Sequence, residues 1–379
     1  MAEVAVVGAG PVGMVLALEL VRRGVAVTVL ERREAPRHSS RSIGIHPPAL
    51  ALLERLGCAD ELIAAGVRVR GGEVRCRGAR LGRLSFAGVS ARHPFVLSVP
   101  QHVTERVLRE RLAALAPDAL VAGCEVTGAR ELDDGVELAT GQGPVRAAWA
   151  VGADGAHSTM RRLGGFAMRE LPYPDRYVMG DATDATGFGD RAVLFLEPEG
   201  VVESFPLPGG RRRWVVHRGR DAAPASREAL AQAVRKRTGV EVDAASLGEP
   251  SAFGVRHVWA GNPCRGHVAL VGDAAHEISP IGGQGMTLGW LDAAQLADAL
   301  AQALGGDGAT ALERYRRAAA RRHRRTAAQA AFNTAMGRPC HRTRLSARNL
   351  AIRGLTVPLF APALARAFTM APQSGLSAA

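Results

Sequence analysis

Residues 1–31 constrain the fold more than any other stretch. An apolar run at 4–7 leads into Gly8-Ala9-Gly10-Pro11-Val12-Gly13, a helical pattern continues through Arg23, and a second apolar run at 25–30 ends at Glu31. Strand, glycine turn, helix, and a strand closed by an acid is the order of a dinucleotide-binding βαβ unit. In such a unit Gly8 permits the tight turn, Gly10 lets the backbone approach a pyrophosphate, and Gly13 lets the helix pack closely on the strand. The helix start adds free N–H groups and the positive end of its dipole. Glu31 can accept both hydroxyls of a ribose and repels a 2′-phosphate, so this first site suits FAD or NAD better than NADP. Arg32, beside it, joins the candidate cofactor contacts.

The pattern changes between about 71 and 97, and again between about 165 and 261. Short β-prone runs at 95–99, 192–196, 201–205 and 214–217 are separated there by Gly, Pro and Asp, as in an antiparallel sheet. Helix returns at 103–115, and strands ending in glycine return at 149–152 and 268–272. From about 287 to 335 the chain reads as Ala-rich helix, broken by Gly305-Gly306-Asp307-Gly308. These patterns predict an α/β chain with a Rossmann-like dinucleotide domain assembled from 1–70, 98–164 and 262–335. A mainly antiparallel β-sheet domain for the substrate, 71–97 with 165–261, is inserted in it, and a helical segment, 336–379, follows.

Charge and cysteine usage narrow the function. Lys and Arg number 48 against 36 Asp and Glu, a net +12, and Lys236 is the one lysine among them. That usage reads as GC-rich coding. The arginines are scattered; the densest run, Arg316, Arg317, Arg321, Arg322, Arg324 and Arg325, lies in an Ala-rich helical stretch and reads as a solvated face. No nucleic-acid partner is expected. Five cysteines without a CxxC pair argue against a disulfide framework or a metal site and fit a reducing cytoplasm. The N-terminal apolar stretch lacks a basic leader and is broken by glycine, and no uncharged run reaches the roughly 20 residues of a membrane span.

Two further motifs decide the cofactor. Val151-Gly152-Ala153-Asp154-Gly155-Ala156-His157-Ser158 follows one apolar strand and leads into Arg161 and Arg162. Gly272-Asp273-Ala274-Ala275-His276 follows another, and Pro280-Ile281-Gly282-Gly283-Gln284-Gly285-Met286-Thr287-Leu288-Gly289 opens a helix. An Asp at a strand end can hold ribityl or ribose hydroxyls. A glycine-rich helix start can present N–H groups to the negative pyrimidine edge of a reduced flavin. Two such loops on one Rossmann-like sheet exceed what NAD alone requires. His276, one turn after Asp273, reads as a structural hydrogen-bonding residue.

With these three motifs the sequence resembles the class A flavoprotein monooxygenases, the family of para-hydroxybenzoate hydroxylase and the aromatic polyketide hydroxylases, from residue 1 to about 330. The resemblance implies that Gly8, Gly10, Gly13 and Glu31 bind the ADP half of FAD, and that Arg41, in Ser40-Arg41-Ser42-Ile43-Gly44-Ile45-His46, sits beside the cofactor. It further implies Gln101 near the ribityl chain, a Val126 backbone contact to adenine, Asp154 serving FAD and NAD(P)H together, and Asp273 on the ribityl and pyrophosphate groups. Gly283, Gly285, Met286 and Thr287 would face the isoalloxazine. The family carries asparagine where this chain has Thr287, which leaves the backbone contacts available and removes that side chain's role.

The activity so implied is NAD(P)H-dependent hydroxylation, by O₂ through a C4a-hydroperoxyflavin, of a phenolic or polycyclic secondary metabolite of the kind met in antibiotic biosynthesis. The protein would act as a monomer or homodimer. With one Gly-x-Gly-x-x-Gly unit, the nicotinamide donor would share the groove near Asp154, Arg161 and Arg162. No catalytic residue is assigned: Tyr173, Tyr177, Tyr315, His93, His217 and His257 are the candidates, each readable as packing. The sheet strands offer Leu194, Leu196, Val202, Phe205 and Val215 for an apolar pocket with few acids. A flavin-dependent halogenase is disfavoured, since Trp149, Trp214, Trp259 and Trp290 are isolated. A flavin-dependent reductase of an isoprenoid or similar apolar substrate is the alternative, separable by oxygen consumption.

Overall fold

The structure is a computed structural model that describes residues 2–36, 42–221 and 225–371. Strands β1 (Ala2–Val7) and β2 (Val27–Glu31) pair in parallel, and helix α1 (Pro11–Val21) makes the crossover. Pro11 at the first helical position presets φ and lacks an N–H that would have no partner there. Residues 13–20 are all buried, because α1 lies between the sheet and the Gly285–Leu304 helix. A helix covered on both sides needs no polar stripe. Each fully buried Leu on it contributes about 1.5–3 kcal/mol.

The strands Val145–Gly152 and Val268–Leu270 extend the sheet on one side of β1, and Leu120–Ala122 extends it beyond β2, all in parallel. Val7, Leu30, Gly152 and Leu270 are level with one another across four strands. The loops that follow them therefore open at one edge, the carboxyl end of a parallel sheet, where ligands of such folds bind. A hairpin of Val126–Leu132 and Gly135–Thr140 hangs antiparallel on Val145–Gly152 and was not foreseen in the sequence. Much of its first strand is exposed or half-buried, with Val136 and Leu138 buried on the second, so its hydrophobic signal is thin.

A second sheet has seven strands in the order Ser251–Gly254, Arg176–Thr183, Arg211–Gly219, Gly200–Leu207, Ala192–Glu197, Gly71–Cys76 and Ala79–Ser85. Its pairs are antiparallel except that between Ala192–Glu197 and Gly71–Cys76. Period-two alternation gives it two faces. Val178, Val193, Phe195, Val202, Trp214 and Val216 point toward Leu230 and Val234 of the Arg227–Thr238 helix. Tyr177, Met179, Leu196, Val201 and Val215 point the other way, into a cluster with Ile281, Leu345 and Ile352. Val202 thus departs from the expected pocket set, because pairing with Val216 turns it to the helix-covered face.

The helices Gly285–Leu304 and Gly308–Gly337 follow, and then Arg342–Leu355 and Ala361–Phe368 fold back. Gln284 Nε2 donates to the Phe368 carbonyl at 2.9 Å, so the C-terminal segment touches the glycine loop. Among the described residues no helix is long and apolar enough to cross a membrane.

Candidate active site

Three loops meet at the carboxyl edge of the parallel sheet, and glycine makes the meeting possible. Gly8 has φ +107°, a conformation costly for any side chain, and a Cβ there would lie 2.6 Å from the Ala153 carbonyl oxygen. A Cβ on Gly13 would lie 2.0 Å from the Gly8 carbonyl oxygen. A Cβ on Gly289 would lie 2.8 Å from Val12, so the helix behind the third motif leans on the first. Gly10 differs: nothing stands within 4 Å of its virtual Cβ. It caps α1 without a side-chain hydrogen bond, leaving an open cradle in front of the N–H groups of a helix start. That cradle fits a pyrophosphate.

Glu31 ends β2 at the rim of this cradle and is almost wholly buried. Its carboxylate accepts from the Ala9 N–H at 2.9 Å, the Arg33 N–H at 3.0 Å and Arg33 Nε at 2.8 Å. Burial opposes its ionisation, but these bonds hold it below the usual carboxylate range. Arg33, two residues on, was not among the sequence candidates; Arg32, which was, is exposed and makes no contact of this kind among the described residues. Arg41 lies outside the described residues. Gln101, at the start of the Gln101–Leu115 helix, accepts from the Ser42 N–H at 3.2 Å and donates to Glu105 at 2.9 Å. Val126 is buried at the start of the unforeseen hairpin.

The carboxylate of Asp154 accepts from Ser158 Oγ at 2.5 Å and from the N–H groups of Thr159 and Met160 at 2.7 and 3.0 Å. Ser158, whose Oγ accepts from the Arg161 N–H at 2.9 Å, caps the short Thr159–Leu163 helix, and Asp154 takes the N–H groups of its first two residues. Arg161 of that helix donates to the carbonyls of Asp273 and Ala274 at 2.8 and 3.0 Å, fastening the second loop to the third. Asp273 itself is exposed. Arg162, also exposed, reaches Thr159 at 3.1 Å.

At the third motif Gly282 and Gly283 take φ +99° and +67°, and the helix begins at Gly285, followed by Met286. Thr287, wholly buried, accepts from the His46 N–H at 3.4 Å, so the threonine that replaces the family's asparagine ties the glycine loop to the segment after residue 42. Burial outweighs the neighbouring Gly282 and Gly283 backbone and pushes the His46 imidazole down to about 4. A histidine held neutral in the fold and protonated near 6.5 when unfolded supports stability above pH 6.5 and loses it as pH falls toward 4. We expect a loss of about 3 kcal/mol from this residue across that window. Urea midpoints between pH 7.5 and 4.5 check it: His46→Asn should flatten the slope, and an unchanged slope would count against the assignment.

Behind Asp273, His276 Nε2 meets Asp292 at 2.7 Å, and Arg322 pairs with the other Asp292 oxygen. His257 and His323 stand beside them, their Nε2 atoms 3.2 Å apart. His93 faces Glu54, and His217 faces Asp175 at 3.0 Å. One further group escaped the sequence reading. Glu203 lies on the Ile281-facing side of the seven-stranded sheet, buried among apolar residues, and alternation along residues 201–205 would have placed it there.

Comparison with known proteins agrees with this architecture. The FAD binding domain family matches residues 1–331. A 6-methylpretetramide 4-monooxygenase of Streptomyces rimosus is 34% identical over 330 residues, 80% of this chain and 56% of that protein. A pentachlorophenol 4-monooxygenase of Sphingobium chlorophenolicum is 31% identical over 78% of this chain and 57% of its own length. The chain thus spans little more than half of these curated relatives. A solved p-nitrophenol 4-monooxygenase of Pseudomonas putida superposes with a TM-score of 0.88 at 26% identity, covering 98% of both chains. An anhydrotetracycline hydroxylase of Streptomyces rimosus superposes at 0.79 and 29%, over 97% of this chain and 76% of that one. The chain belongs to the FAD-binding family of the class A flavoprotein monooxygenases.

Proposed function

We propose that this protein is an FAD-dependent, NAD(P)H- and O₂-using monooxygenase that hydroxylates a phenolic or polycyclic aromatic compound. The observation that carries the reading is the convergence of three glycine loops at one sheet edge with the Gly10 cradle open, beside a seven-stranded sheet whose Ile281-facing side is mainly apolar. The named activities of its relatives support it. Residues 1–70, 98–164 and 262–335 form the cofactor part in this reading, and 71–97 with 165–261 the substrate part.

Bound FAD supplies the redox and oxygen-activating chemistry, with reducing equivalents from NAD(P)H. Gly8, Gly10 and Gly13 give the pyrophosphate room, and Glu31, kept ionised by Ala9 and Arg33, accepts from ribose hydroxyls. Gln101 and Asp273 would hold the ribityl side, and Val126 would offer its backbone to adenine. The N–H groups of Gly285, Met286 and Thr287 at the helix start would face the isoalloxazine, with Gly283 beside them, its own N–H donating to the Pro280 carbonyl at 2.9 Å. The apolar sheet face excludes water from the reacting ring. The donor shares the groove near Asp154 and the exposed Arg162. Five free cysteines, four of them buried, support a cytoplasmic setting.

The purified protein should be yellow. Asp273→Ala should weaken FAD binding by about tenfold to a hundredfold, the value of a hydrogen bond to a charged group, while Asp154→Asn, which keeps its capping geometry, should weaken it far less. Full FAD retention in Asp273→Ala would count against the mapping. Phenols should stimulate NAD(P)H oxidation and take up one atom from labelled O₂; a reduced product without that atom would point to the reductase alternative.

A further inference from the structure

Glu203 occupies the middle of the seven-stranded sheet. The register places Met179, Val215, Glu203, Leu194 and Val74 in one row across five strands. Val201 and Phe205 flank it on the same face, and that face packs against Ile281, next to the glycines of the third motif. The residue is 6% exposed, and its carboxyl has no hydrogen-bond or ion-pair partner among the described residues. Buried carboxyls are normally paired, since an unpaired one costs about 1–3 kcal/mol. Leucine would pack here at no such cost.

The other polar groups on this face do not answer it. Arg213 is taken by Asp181, with contacts of 2.7 and 2.9 Å. Arg338 holds Asp175, which also receives His217. From the Arg342–Leu355 helix, Arg348 donates to the carbonyls of Met336 and Leu196. The Tyr177 hydroxyl is buried without a hydrogen-bond partner. Arg213 and Arg338 are committed to carboxylates and Arg348 keeps only its buried Nε unpartnered, so no guanidinium fork among the described residues of this face is free to clamp a substrate carboxylate, while Glu203 and the Tyr177 hydroxyl stand open.

Resting on the monooxygenase reading, we propose that Glu203 receives the hydroxyl of the aromatic substrate and acts as its base, so that the preferred substrates are hydroxyarenes without a carboxylate at that end. In this step the substrate O–H bond breaks, an O–H bond forms on Glu203, and the electron pair stays on the substrate oxygen. Nothing is oxidised or reduced. The ring gains electron density toward the electrophilic oxygen donor, and the proton leaves to water with the product.

The test uses FAD-loaded wild type, Glu203→Leu and Glu203→Gln, with 1-naphthol and its methyl ether as probes. Dissociation constants come from the flavin absorbance change without electron donor. Wild type should prefer the naphthol by about tenfold to a hundredfold. Glu203→Leu should lose that preference, with FAD occupancy unchanged and a urea midpoint equal to or above wild type. Glu203→Gln should keep most of the preference but lose turnover. Burial pushes the Glu203 carboxyl up to about 8, so wild-type turnover should rise with pH through that value, a limb absent in Glu203→Gln. A preference that survives in Glu203→Leu, a wild type that binds both probes alike, or a Glu203→Gln protein that turns over normally overturns the assignment. If labelled oxygen enters product while Glu203 proves irrelevant, only this inference falls; if no phenol is oxygenated at all, the monooxygenase reading falls with it.

Discussion

Gly13→Ala is expected to abolish stable, FAD-loaded protein, whereas Gly10→Ala should fold normally and fail to hold FAD. At Gly13 the new Cβ would sit 2.0 Å from a backbone oxygen and 3.2 Å from the Ala153 Cβ. No flexible side chain is there to move aside. Gly8 has little room to retreat either, since it sits at φ +107° where even a Cβ of its own would lie 2.6 Å from the Ala153 carbonyl oxygen. Inserting a single carbon into a packed core costs about 1–3 kcal/mol, and a clash of the new Cβ with fixed backbone lies at or above the upper end. Gly10 has an extended conformation, φ −73° and ψ 177°, that alanine adopts freely, and its surroundings are empty. There the methyl group costs the apoprotein nothing and fills the space a pyrophosphate needs. Urea midpoints of the apoproteins and flavin absorbance per chain after desalting separate the two effects. A wild-type midpoint in Gly13→Ala, or full FAD in Gly10→Ala, would sink the account.

What the sequence revealed follows the range over which each feature is specified. Gly8, Gly10, Gly13 and Glu31 were legible because a βαβ unit writes its geometry into about 30 consecutive residues. The seven-stranded sheet was legible as a class, since its strands alternate, but the facing of Val202 depends on which strand it pairs with. Glu203 could have been found: it shares period-two parity with Val201 and Phe205, and a lone acid on an apolar face stands out once the face is counted. Arg33 was missed because its role depends on the turn after β2. Asp154 is more instructive. A motif match assigns it to the cofactor, while the fold shows its carboxylate already bonded to Ser158, Thr159 and Met160. The hairpin carrying Val126 left too few apolar residues to be seen. The cluster of His276, Asp292 and Arg322 was out of reach, because its members lie 16 and 30 residues apart and meet only through packing of three elements.

That cluster carries the second large effect, expected on replacing Asp292 with alanine. Asp292 is 1% exposed on the Gly285–Leu304 helix and is the anion for both Arg322, from the next helix, and His276. Burial works against its ionisation, but Arg322 and His276 outweigh it and hold the carboxyl below its usual range. Its removal leaves a guanidinium buried and unpaired, a loss of about 3–5 kcal/mol. The double variant Asp292→Leu with Arg322→Met should recover most of this, because an apolar pair of similar volume replaces a buried ion pair at little cost. A carboxyl with a depressed folded pKa contributes above its unfolded value, near 4, and that contribution disappears as pH falls through the folded value. The gap between wild type and Asp292→Ala should therefore be full at pH 7 and close in strong acid. FAD affinity should fall with stability in Asp292→Ala, since His276 follows Asp273 by three residues and the same helix carries the third glycine loop. Urea titrations at pH 7 and pH 3 with flavin occupancy measured alongside decide it: a stable, fully loaded Asp292→Ala would show that the third loop is held by its glycines alone.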